Sequence, residues 1–153
     1  MRSANFFVVL AVTLLAQCLP HPARAALGGP SLLIEATTGA RLKTAVREAT
    51  STWRVQDSTL STGTVVHEYI ATLTGTVFAV SWSGPALPDL AQILGDSSSR
   101  YQAAAQHAVV RHRVVTVNDP DLVIRSEGHA RRFTGQAWLP AQLPSGFTTA
   151  DIQ

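Results

Sequence analysis

The chain has one cysteine, Cys18, and it falls in a leading segment whose removal is expected. A mature chain without thiols forms no disulfide, offers no thiol nucleophile and builds no thiolate metal site. Charge excess is missing as well. Lysine and arginine number 12 and aspartate and glutamate 10, and losing Arg2 and Arg24 leaves 12 − 2 = 10 basic against 10 acidic residues. That balance gives no general reason to expect nucleic acid or an anionic membrane as partner. Past the first 25 residues there is no apolar run long enough to span a bilayer, no internal repeat, no phosphate-cradling glycine loop and no G-x-S-x-G elbow. No cofactor is expected.

What is present begins with an export signal. Met1 to Ala25 has a basic start at Arg2, an apolar run from Phe6 to Leu19, a Pro20/Pro22 break, and small residues at Ala23 and Ala25. The run is 19 − 6 + 1 = 14 residues, short of the roughly 20 that span a bilayer as a helix, so it reads as a secretory signal peptide cut after Ala25. A lipid-anchored form through Cys18 is disfavoured because Gln17 stands where such sites want a small residue. The expected product starts at Ala26, is periplasmic or secreted, and has 153 − 25 = 128 residues, enough for one domain with one core.

The densest β-forming run is Val65 to Pro85, which reads as a hairpin turning at Leu73-Thr74. Opposed numbers summing to 147 set Tyr69 against Phe78, His67 against Val80 and Val65 against Trp82, an aromatic face to be covered by helices. Ile70, Glu68, Val66, Val77, Ala79 and Ser81 would lie on a face nearer solvent. Residues 26–51 read as an irregular leader, with one helical turn or short strand around Leu42 to Val46, and residues 52–153 as a single domain. Trp53 to Asp57 alternates as a strand, and Ser58 to Gly63 is turn chemistry leading into Thr64 to Ala71. Pro88-Asp89 opens a helix with Leu90, Ile93 and Leu94 as its buried stripe, Gly95 stops it, and a second helix follows from Ser98 to Ala108. Strands are expected at Val109 to Val117, Leu122 to Glu127 and Arg131 to Leu139, with Gly128-His129 as a two-residue loop and an extended or loose end after Pro140. The fold class is α+β: an antiparallel sheet of five to six strands, with the helical segment between the first three strands and the last two or three, behind a signal peptide.

Gly75-Thr76-Val77-Phe78-Ala79-Val80-Ser81-Trp82-Ser83-Gly84-Pro85, then Pro88-Asp89-Leu90, Leu94-Gly95, Tyr101, and Gly128 to Pro140 (GHARRFTGQAWLP) resemble the signature of a bacterial exported family. That family is named only as domain of unknown function twenty-eight forty-four. The resemblance covers roughly Thr52 to the C terminus and implies a bacterial, exported, single-domain protein, without catalytic residues or ligand to carry over. One departure is Asp96 to Ser99, where the family shows an aromatic pair, which implies a looser seam between the helices.

His67 and Glu68 are neighbours that a strand sends to opposite faces, which argues against a shared metal or an acid/base pair. His67 reads as a hydrogen-bonded structural histidine, and Glu68 as solvated or paired with an arginine. His107 and His112 straddle a helix-to-strand junction and do not suggest a metal. The best polar cluster is the last hairpin: with Gly128-His129 as loop, Arg125 opposes Arg132, so Arg125, His129, Arg131 and Arg132 form a candidate patch for an anionic group on a partner. A solvated face neutralised by Glu127 or Asp121 is the competing reading, and exposed arginines favour it. The leading functional reading is a non-enzymatic module that binds a protein or cell-envelope component. The alternative is a small hydrolase or ligand-binding enzyme using His67, Glu68 or His129.

Overall fold

The structure, a computed structural model, describes residues 27–31, 43–48, 52–107 and 114–153, with backbone alone for 43–48. The expected cleavage residues Ala23, Ala25 and Ala26, and His112, lie outside the described residues. Among the described residues seven strands make one antiparallel sheet: β1 Lys43–Glu48, β2 Trp53–Thr59, β3 Val65–Ala71, β4 Val77–Gly84, β5 Val115–Asn118, β6 Val123–His129 and β7 Arg132–Trp138, in the order β1-β2-β3-β4-β7-β6-β5. Six strands belong to the stretch from Thr52 onward, three on each side of the helices, as the α+β expectation has it. The seventh, β1, lies in the segment read as leader and pairs with β2.

Helix α1 is Leu90–Leu94 and α2 is Ser98–His107, joined by a 3-10 turn at Gly95–Ser97. Asp89 caps α1 by accepting from the Ala91 and Gln92 amides at 3.0 and 3.2 Å. Leu90, Ile93 and Leu94 are its buried stripe, and Tyr101 and Ala104 of α2 pack against the same core. Arg100 of α2 reaches the β5–β6 turn, donating to Asp121 at 2.9 and 2.7 Å and to Asp119 at 3.3 Å. A cleft of about 470 Å³ lies between residues 27–29 and Ala91, Gly95, Asp96 and Ser98.

The central hairpin corrects the expected register. Near its turn the sum of 147 holds, with Ile70 opposite Val77 and the Ala71 amide donating to the Thr76 carbonyl. Beyond it Tyr69 opposes Ala79, so Phe78 is an extra residue on β4, a bulge, and every later pair sums to 148: His67 with Ser81, Val66 with Trp82, Val65 with Ser83. A one-residue slip exchanges faces. Val80 and Trp82 therefore share the helix-covered side with Val66, Ile70 and Glu68, while Phe78 turns to the opposite side with Tyr69 and Ala79. Both sides are core. The face expected nearer solvent is thus the helix-covered one over Val66, Glu68 and Ile70.

The second core is closed by the last described residues, which dock through 3-10 turns at Pro140–Gln142 and Thr149–Asp151 where an extended or loose end was expected. Phe147 stands edge-on to Phe78, Trp53 and Tyr69 with ring centroids 4.8, 5.0 and 5.6 Å away, and Ile152 is buried beside it. A capping box between Thr148 and Asp151 shapes the turn that carries Ile152 inward. The Gln153 amide then donates to the Tyr69 hydroxyl at 2.8 Å, and the Ser81 hydroxyl donates to the Gln153 main-chain oxygen.

Candidate functional site

The last hairpin turns later than expected. Its loop is Ala130-Arg131, with Arg131 at φ 60°, and His129 opposes Arg132. Arg125 opposes Gln136 on one side and Thr116 on the other, so the like-charged Arg125 and Arg132 pair does not form. Gly128 continues the strand rather than turning it, opposite Phe133 and buried. Arg125, His129, Arg131 and Arg132 are all exposed, and Glu127 lies between Arg125 and His129 on the same face. Arg125 and Glu127 carry opposite charges there. Arg125 is further occupied, its guanidinium lying 5.6 Å from the centroid of the Trp138 ring.

Register then composes a surface that spacing did not reveal. On the face away from the helices, pairing aligns Asp57, His67, Ser81, Gln136, Arg125 and Thr116 across six strands, and beside them Thr59, Val65, Ser83, Thr134 and Glu127. Five gaps of about 4.8 Å make the first row roughly 24 Å long. The tail covers the neighbouring apolar part of this face, where Val55, Tyr69, Ala79, Trp138 and Val123 lie, and reaches the row at Ser81, which is buried. Arg125, Glu127, Ser83 and Thr116 are exposed, and Asp57, His67, Thr134 and Gln136 are half-buried. This is an open, hydrogen-bonding sheet face with both charge signs.

Within the row, His67 Nδ1 lies 2.7 Å from Asp57 Oδ1, the structural partner expected of that histidine. Ser81 follows on the next strand, so serine, histidine and aspartate share one row, yet they do not form a nucleophilic set. Ser81 is buried and its hydroxyl is directed at Gln153, while its main-chain neighbours on both sides are committed to the β3 and β7 ladders. That arrangement gives neither a nucleophile–base contact nor free amides to hold an oxyanion.

Glu68 is on the other side and corrects the solvated reading. It is 1% exposed and accepts from the Ser31 hydroxyl at 2.6 Å and from Gln56 Nε2 at 3.3 Å, while Gln56 also donates to Ser31 at 2.7 Å. The cluster ties residues 27–31 to the sheet. His67, Glu68 and His129, named together in the hydrolase alternative, are thus on one face, the opposite face and a hairpin end. Among the described residues no group of three histidine, cysteine, aspartate or glutamate side chains gathers with metal-binding geometry. No described helix is long and apolar enough to cross a membrane. Asp57 and Gln136 were missed by sequence reading because only the true registers bring them into the row.

A family model described as Protein of unknown function (DUF2844) matches residues 23–152. Neither a curated protein nor a solved structure matches the chain.

Proposed function

Since the chain belongs to the DUF2844 family of proteins of unknown function, whose description assigns no chemistry, we propose a function from its surface. The protein is an exported, non-enzymatic binding module of the bacterial cell envelope or its surroundings, and the open sheet face is its contact surface. The observation that carries this reading is the polar strip along the rows of Ser83, Thr134, Glu127, Gln136, Arg125 and Thr116, exposed or half-buried beside an apolar part of the same face that the chain's end covers. A surface with charges of both signs and several hydroxyl and amide groups suits a polar partner, a protein or an envelope polymer, better than a simple polyanion. The dispersal of His67, Glu68 and His129 supports binding over hydrolysis.

Photo-crosslinking in the native cell envelope tests it. A photoreactive side chain at Ser83 or Thr134 is expected to give a discrete adduct, and one at Gln102 or Gln106, exposed on α2, is not. Adducts from α2 alone, or none from the sheet face, would refute the assignment.

A further inference from the structure

Residue 27 is the second residue of the chain expected after cleavage, and it is core. Leu27 is 6% exposed among the helix-side residues, its amide donates to the Ile93 carbonyl at 3.0 Å, and the Gly28 amide donates to the Val77 carbonyl at 2.8 Å. Gly29 accepts from the Val77 amide at 2.8 Å, Pro30 bridges to Thr76, and Ser31 is held by Glu68 and Gln56. Residues 27–31 are therefore strapped across the helix–sheet core at both ends. The Gly28 backbone has φ +88°, a left-handed conformation that sets the turn between its two anchors.

The expected Ala25–Ala26 cut precedes Leu27 by a single residue in the chain. A protease takes its substrate as an extended strand, pairing main-chain groups on both sides of the bond it cuts. Those groups at Leu27 and Gly28 are already bonded to Ile93 and Val77.

We propose that the strap of residues 27–31 makes processing and folding mutually exclusive in order: cleavage after Ala25 precedes docking of Leu27, and the folded precursor resists it. The reaction is hydrolysis by a membrane-bound signal peptidase. Water adds across the Ala25–Ala26 peptide bond, leaving a carboxylate on Ala25 and an ammonium group on Ala26. This rests on the export reading, and it adds that the fold itself guards the cut. Cleavage of folded precursor follows the fraction of molecules whose strap is transiently open.

The test uses full-length precursor in detergent with purified signal peptidase, the product mass giving the cut position. Precursor folded beforehand is compared with precursor diluted from urea at the moment of mixing. The unfolded chain is expected to be cut at least ten-fold faster. Leu27→Asp, which expels the strap, is expected to bring the folded chain to the unfolded rate, and Ile93→Ala, remote from the cut in sequence, to move it the same way. Circular dichroism verifies that each variant keeps its sheet. Equal rates for folded and unfolded wild type overturn the guarding role while leaving export intact. Absence of a cut after Ala25 in either state overturns the export reading and this proposal with it.

Discussion

Gly135→Ala probes the tightest contact in the helix-side core. Gly135 on β7 pairs with Trp82 of β4 and Ser126 of β6, and the Trp82 indole lies across its Cα. An alanine Cβ there would meet Trp82 Cζ2 at 2.2 Å, Trp82 Cε2 at 2.5 Å and the Arg125 carbonyl oxygen at 2.9 Å. Carbon atoms in good contact sit about 3.5–4.0 Å apart, so the overlap with the indole exceeds an ångström. Trp82 is 1% exposed and cannot swing away without disturbing its neighbours. Its Nε1 has no partner among the described residues, so packing alone holds the ring. Overpacking costs roughly 1–3 kcal/mol and this site belongs at the upper end, because the carbonyl of a neighbouring strand also blocks the new carbon. Replacing a strand glycine returns about 0.5–1 kcal/mol of backbone entropy, leaving a net loss of about 2 kcal/mol. For a domain of this size that lowers Tm by about 6–10 °C.

Urea unfolding followed by far-ultraviolet circular dichroism measures it, since tryptophan emission would report the perturbed ring itself. The midpoint should fall with an unchanged slope. A double-mutant cycle with Trp82→Leu should show coupling of about 1 kcal/mol or more, because the smaller side chain makes room for the alanine. A Gly135→Ala protein as stable as wild type, or strictly additive changes, would refute this packing.

Phe147→Ala removes the ring that closes the second core and should cost about 3–5 kcal/mol by urea unfolding; a loss under about 1 kcal/mol would mean the tail is not docked there. Hydrogen bonding from Arg100 holds the Asp121 carboxyl below its ordinary value, so Arg100→Gln should raise that value in an NMR titration. The sign follows: a depressed carboxyl lends stability above its unfolded pKa and loses it as pH falls through the folded one, so the Arg100→Gln defect should be present at neutral pH and vanish in acid. Arg125→Ala should lose about 0.5–1 kcal/mol with its contact to Trp138, and combining it with Arg132→Ala should be additive, since the register keeps the two apart. Extra stability in the double variant would restore the opposed-arginine hairpin.

The helical insertion was legible because its signals are local. Asp89 caps, Leu90, Ile93 and Leu94 repeat at helical spacing, and Gly95 ends the turn, all within seven residues. The strands of the stretch from Thr52 were legible for the same reason, to within about two residues at each end, save that the strand expected from Val109 is described only from Val115 and that residues 108–113 lie outside the described residues. Side assignment failed where one residue of register decides it. The Phe78 bulge exchanges the faces of the central hairpin, and moving the last turn from Gly128-His129 to Ala130-Arg131 takes Arg125 from Arg132 to Gln136.

Composition and local pattern thus established the classes of element. Only tertiary structure decided which side chains meet. The bulge turns Phe78 into the cluster of Tyr69, Trp53 and Phe147, residues up to 147 − 53 = 94 positions apart. Leu27, Ser31, Phe147 and Ile152 read as loop or tail because nothing beside them in the chain buries them. Their value lies in distant partners, Ile93, Glu68, Trp53 and Tyr69, and burial is a property of the assembled core rather than of any segment.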